Sequence, residues 1–152
     1  MSKAIIADTS CLILLSKIEE LQILRAVFGS ICITEEIAAE FGMALPDWIE
    51  IVAVKNRKYM DLIQASLDIG EASAIAYAME QNNCLLILDD NKGRRFARQL
   101  GIQITGTIGV IVAAKNLGVI SAIKPYFEKI KSTDFRFSEE TITRILSEHN
   151  EL

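Results

Sequence analysis

Four apolar runs too short to be helices do most to limit the fold of this chain: AIIA (4–7), ICI (31–33), CLLIL (84–88) and IQIT (102–105). Runs of that length, apolar on nearly every residue, suit strands covered on both faces, as in parallel sheets. Helical segments separate them. DTSCLILLSKI offers Asp, Thr or Ser as an N-cap, and Leu21, Leu24, Val27 and Phe28 mark a second short helix stopped by Gly29. Thr34 caps EEIAAEF, with glutamates well placed in its first turn. After a turn at 42–47, WIEIVAV (48–54) alternates enough for an edge or half-exposed strand. KYMDLIQASL is amphipathic, and GEASAIAYAMEQNN is an alanine-rich helix ended by two asparagines. NKGRRFARQLG, TIGVIVAAKNLG, ISAIKPYFEKI and EETITRILSEHN read as further helices. Buried strands alternating with helices predict an α/β sandwich around a mostly parallel sheet of about five strands. At 152 residues, with no repeat or linker, one domain is expected, its helices from about residue 120 onward an extension.

Composition narrows the chemistry. Hydrophobic residues make up 51% and charged residues 24%, the balance of a soluble globular protein. No apolar run has the length of a membrane span, and MSKAIIAD lacks a secretory leader, so a cytoplasmic protein without membrane partners is expected. Cys11, Cys32 and Cys84 fall singly in apolar segments and the sole histidine, His149, lies in the polar tail. That disfavours a structural zinc site, a disulfide framework and Ser-His-Asp or Cys-His catalysis. The net charge of −4 does not announce a nucleic-acid binder, but basic residues cluster in KNRK (55–58), KGRRFAR (92–98) and KPYFEKIK (124–131).

The carboxylates carry the chemical signal. Asp8 directly follows the first apolar run, and Asp89 and Asp90 follow CLLIL. In open α/β sheets ligands bind beyond the carboxyl ends of the strands, so these acids are expected at one edge. Glu71 opens a helix behind Gly70, on a face kept small by Ala74 and Ala78. Glu36 and Glu40 share a helix face at i, i+4, so either can point inward; Ala39 and Phe41 make Glu40 the more enclosed candidate. Carboxylates gathered without a cation repel one another and are costly to desolvate. Lys or Arg pairing or protonation relieves that in part; a hard cation with oxygen ligands, Mg²⁺ or Mn²⁺, relieves it more completely.

The order IIADTS, EEIAAEF, LDIGEASAIAYA, LLILDDNKGRRFARQLGI, TGTIGVIVAAKNLG resembles the PIN-domain family, and within it the bacterial and archaeal branch related to VapC-type toxins. The similarity runs from about residue 4 to about residue 120, with GEASAIA and LDDNKGRR its most specific pieces. It implies a three-layer α/β/α sandwich and cleavage of RNA by acids holding one or two Mg²⁺ or Mn²⁺ ions. By motif, Asp8, Glu40, Glu71 and Asp89 match the four acids, Asp90 is the adjacent auxiliary acid, and Ser10 supports the first. Asp8, Glu71 and Asp89 are the expected metal ligands; the doubled aspartate leaves open which of the pair is the direct ligand, with Asp89 favoured over Asp90. Lys92, Arg94 and Arg95 follow the acid pair and are candidates to hold RNA phosphates. Relatives of this kind imply a small antitoxin partner and a homodimer, and Tyr126, Phe127, Phe135 and Phe137 offer either an interface or core aromatics.

Rival readings fit less well. A receiver-type phosphoacceptor wants its acid pair after the first strand, and a haloacid-dehalogenase-type phosphatase wants DxD where this chain has Asp8-Thr9-Ser10. A PIN-like scaffold that binds a partner protein with weak or no turnover is the alternative to an enzyme.

Overall fold

The computed structural model describes residues 3–152. Its sheet has five strands, β1 (Ala4–Ala7), β2 (Ile31–Thr34), β3 (Ile49–Val52), β4 (Cys84–Ile87) and β5 (Ile104–Thr105). They lie in the order β3-β2-β1-β4-β5 and every neighbouring pair is parallel. The helices are α1 (Thr9–Lys17), α2 (Ile23–Phe28), α3 (Glu35–Phe41), α4 (Arg57–Gln64), α5 (Ile69–Met79), α6 (Asn91–Gln99), α7 (Thr107–Asn116), α8 (Lys124–Lys131) and α9 (Glu139–Glu148). Together they form the expected three-layer α/β/α sandwich. Among the described residues no helix is long and apolar enough to cross a membrane.

Burial follows the strand pattern. Ile6, Ala7, Ile33, Leu86 and Ile87 are fully buried, whereas β3, at the edge, leaves Ile51 52% exposed. α5 packs across β1, β2 and β4, and its run of Gly70, Ala72, Ser73, Ala74, Ala76 and Ala78 is what lets it lie close. A buried hydroxyl relay joins α5 to α3. Ser73 Oγ donates to the Gly70 carbonyl at 2.7 Å, so it accepts from Thr34 Oγ1, also at 2.7 Å. Thr34 Oγ1 in turn accepts the Ile37 amide that it caps.

Element ends differ from expectation for local reasons. α8 begins at Lys124 because Pro125 has no amide to give a helix interior and is tolerated in the first turn. α4 starts one residue earlier than expected, since Asn56 accepts the Tyr59 amide as its cap. At the C-terminal end Glu151 accepts the Ile123 and Lys124 amides at 2.9 Å, tying the tail to the start of α8.

Phe127 is buried and Phe135 stacks on Phe137 with ring centroids 6.3 Å apart. These aromatics and the half-buried Tyr126 pack with the core, which extends from β1 to α9.

Candidate active site

β1 and β4 pair with Ala7 opposite Ile87, and the Asp8 amide donates to the Ile87 carbonyl at 3.0 Å. The strand order reverses here, because β1 continues to β2 on one side and β4 to β5 on the other. Asp8 and the Asp89–Asp90 pair therefore leave the sheet together at its carboxyl edge, where α/β folds bind ligands.

Asp8 occupies the N-cap position of α1 yet makes no side-chain capping bond, so helix capping does not explain it. It is 5% exposed. Burial pushes its carboxyl up from 3.8 to about 7, and the charges of Asp68, Glu40 and Asp89 add to the rise, against an opposing pull from the Thr9 amide.

Glu71, in the first turn of α5, is 6% exposed, and its Oε2 has no hydrogen-bond partner. Burial first, then the charges of Asp68 and Asp90, raise its carboxyl well above the ordinary range. That Oε2 rests against Gly93 of α6, where a Cβ would stand 2.9 Å away. Glu40, exposed on the rim, brings Oε1 to 3.0 Å from where a Gly70 Cβ would stand. Asp90 caps α6 through the Gly93 amide at 3.0 Å.

Asp8, Ser10, Glu40, Asp68, Glu71 and Asp90 line one cleft of about 280 Å³, with no lysine or arginine among its lining residues. None of its acids has an ion pair among the described residues. Nor are any three His, Cys, Asp or Glu side chains of the described residues already closed to metal-ligand spacing. The donors nonetheless suit a hard divalent cation: all are oxygens, one buried carboxylate oxygen is orphaned, and no countercharge is present.

Two expectations change. Asp89, expected to be the direct ligand, turns toward α7 instead. Its Oδ1 accepts the Thr107 amide at 2.9 Å and its Oδ2 the Thr107 hydroxyl at 2.6 Å, so both oxygens are engaged in holding the start of α7. Asp90, expected to be auxiliary, is the member of the pair that lines the cleft. Enclosure also works opposite to the reasoning that chose Glu40. Glu36 is the more buried of the two but is paired with Arg57 at 2.8 Å, and the exposed Glu40 faces the cleft.

The basic residues divide. Lys92 and Arg95 are exposed on α6. Arg94 is half-buried, donates to the Leu88 carbonyl at 2.7 Å, and has its pKa lowered by burial, so it is not a free arm. Sequence reasoning missed Asp68, which caps α5 by accepting the Glu71 amide at 2.8 Å and whose charge acts more strongly than any other on both Asp8 and Glu71. Its signal was present: Asp68-Ile69-Gly70-Glu71 has the spacing of a capping box.

No curated protein and no solved structure matches the chain. A family model described as a PIN domain matches residues 4–151. That span takes in every strand and all the acids just described, so the chain belongs to the PIN-domain family, whose fold is of the nuclease type.

Proposed function

We propose that the chain is a metal-dependent endoribonuclease that hydrolyses phosphodiester bonds of single-stranded or structured RNA. Glu71 carries this reading: a buried carboxylate with an unpartnered oxygen, facing other acids in a cleft without a resident cation, is costly unless an ion is meant to enter. Asp8, Glu71 and Asp90 would hold Mg²⁺ or Mn²⁺, with Glu40 closing the rim and Ser10 supporting Asp8. Asp89 positions α7 and keeps Arg94 company on the far side of the pair. A bound ion would supply Lewis-acid polarisation of the phosphoryl group and lower the pKa of water. The chain's own carboxylates must be ionised to bind it, and Asp68 and Glu40 keep the cleft strongly anionic. Lys92 and Arg95, exposed on the helix that Asp90 caps, suit the phosphates that flank the scissile one.

The test is incubation of purified protein with single-stranded RNA and Mn²⁺, alongside Asp8→Asn and Glu71→Gln. Loss of cleavage in both variants is expected; cleavage that persists in both belongs to another site or a contaminant and refutes the assignment. Stabilisation by Mn²⁺ without any cleavage would favour the scaffold reading. A toxin role, with a small antitoxin partner and a homodimer, is the narrower form of the proposal, and a short companion reading frame beside this one would support it.

A further inference from the structure

A second depression of about 530 Å³ lies between the start of α6, α7 and α9. Asp89 and Asn91 line it, and Asp90 between them lines the acid cleft, so a ridge one residue wide separates the two. Its floor is apolar: Ile108 and Val112 from α7, with Phe137 and Ile145 from the C-terminal segment. Gly106 and Gly109 add bare backbone, and Phe135 backs the Phe137 ring.

The rim is polar and carries one charge of each sign, Asp89 and Arg94, so it has no net charge. Asp89 spends both oxygens on Thr107, and Arg94 is bound to the Leu88 carbonyl. The Asn91 amide group and the Thr141 hydroxyl have no hydrogen-bond partner among the described residues, although both border the groove. An anionic ligand would meet Asp89, and a cationic one Arg94. The fitting ligand is neutral, apolar on its faces and hydrogen-bonding along its edge, which is the chemistry of a nucleobase. The volume lies within the range of small-molecule sites.

Position adds the second reason. If the acid cleft acts on an RNA phosphate, as proposed above and on which this inference rests, the base one nucleotide along must lie beside it. We propose that the groove between α6, α7 and α9 receives a nucleobase of the RNA strand next to the reacting phosphate, and so sets the base preferred beside the cut. Asn91, with a donor amino group and an acceptor oxygen on its amide, reads the base edge.

Two readouts test this separately. Metal-free protein with labelled methyl groups is titrated with the four nucleoside monophosphates. Saturable shifts at Ile108, Val112, Thr141 and Ile145, abolished by Thr141→Trp, are expected. In parallel, cleavage of a randomised RNA pool is compared for the natural chain, Thr141→Trp and Asn91→Asp. Filling the groove should raise KM at least tenfold with a smaller change in kcat. Asn91→Asp, which leaves only acceptors on that side chain, should move the preference toward bases that present an amino group. Unmoved methyls with all four nucleotides, or a base preference identical in all three proteins, would overturn the proposal. Shifts produced by a neutral apolar peptide and not by nucleotides would overturn it in favour of a protein partner. If no RNA is cleaved by the natural chain, the ribonuclease reading falls while the methyl titration still decides the groove. Should Thr141→Trp fail to fold, Asn91→Asp, at an exposed first-turn position of α6, carries the comparison.

Discussion

Replacing Asp8 with asparagine should stabilise the metal-free protein, although most changes at buried positions do the reverse. The carboxyl has a pKa of 3.8 when unperturbed and about 7 when folded. Between those values the folded state holds the proton while the unfolded state has released it, so stability falls as pH rises across that window. At about 1.36 kcal/mol per unit, the cost above pH 7 is on the order of 4 kcal/mol. Asparagine keeps the shape and carries no charge to desolvate, and its amide can donate to the neighbouring carboxylates. For a chain of this size, about 2–4 °C per kcal/mol makes Asp8→Asn melt some 8–16 °C higher at pH 8 in EDTA. The gap should shrink as pH falls toward 4, where the folded carboxyl is neutral and the unfolded one is itself becoming protonated. Adding Mn²⁺ should invert the order, because the natural protein gains an ion that the variant holds poorly. Circular-dichroism melts from pH 4 to 8.5, with EDTA and with Mn²⁺, measure all three effects. A variant no more stable than the natural protein at pH 8 in EDTA, or a gap that ignores pH, would refute the account of Asp8 as a desolvated, repelled carboxylate.

Two further changes probe the scaffold around the cleft. Thr34→Val breaks the relay between α3 and α5, leaving the Ile37 amide without its cap and Ser73 without its donor. It should lower the urea-unfolding free energy by about 2 kcal/mol, with a double change to Thr34→Val and Ser73→Ala costing less than the two separate losses combined; a loss below about 0.5 kcal/mol would show the relay to be incidental. Gly93→Ala places a methyl 2.9 Å from Glu71 Oε2 and 3.1 Å from Leu88 Cδ2. Helix propensity returns about 1 kcal/mol, so Tm should move by only a few degrees. Mn²⁺ affinity from a thermal-shift titration should nonetheless drop at least tenfold, and an unchanged midpoint would remove Glu71 from the ligand set.

The layers of this fold were legible because buried strands announce themselves in consecutive apolar residues and helices in their caps. AIIA and CLLIL are apolar throughout, and Thr34 caps α3 as its position before EEIAAEF implies. The site was legible as far as chain position decides it: Asp8 is the first residue past β1, whatever its rotamer. Legibility ended where one residue's rotation decides. Asp89 and Asp90 are chemically identical neighbours in the sequence, and only the arrival of Thr107, 18 residues later, draws the first away and leaves the second to the cleft. Glu40 was rightly preferred to Glu36 but for the wrong reason, since the partner that removes Glu36, Arg57, sits on a different helix. Asp68 had a local signal, but a capping box explains such an aspartate so well that nothing in the sequence asks it to do more.

Where the basic side chains go bears on what the cleft is for. A protein that buried carboxylates for structure alone would pair them, since an unpaired buried charge is among the costliest features a fold can hold. This chain has an arginine close by in sequence: Arg94 lies one turn into the helix that Asp90 caps. Its guanidinium is held instead by the Leu88 carbonyl, on the Asp89 side of the pair. Gly106 makes that seat possible, because a Cβ there would stand 2.7 Å from Asp89 Oδ1 and 3.2 Å from the Arg94 guanidinium. The bare backbone at Gly106 thus leaves room for the guanidinium on the Asp89 side, outside the cleft lining. A resident guanidinium would neutralise Asp8 and Glu71 permanently and leave nothing for an exchangeable ion to gain. Held away, it leaves the repulsion in the folded state, where protonation relieves part of it and the proposed divalent cation would relieve more. Folding stability and ion binding are then two readings of the same carboxylates, and a Gly106→Ala protein, its arginine displaced, should show both weakened pH dependence in EDTA and a smaller stabilisation by Mn²⁺ if the freed guanidinium turns to the acids.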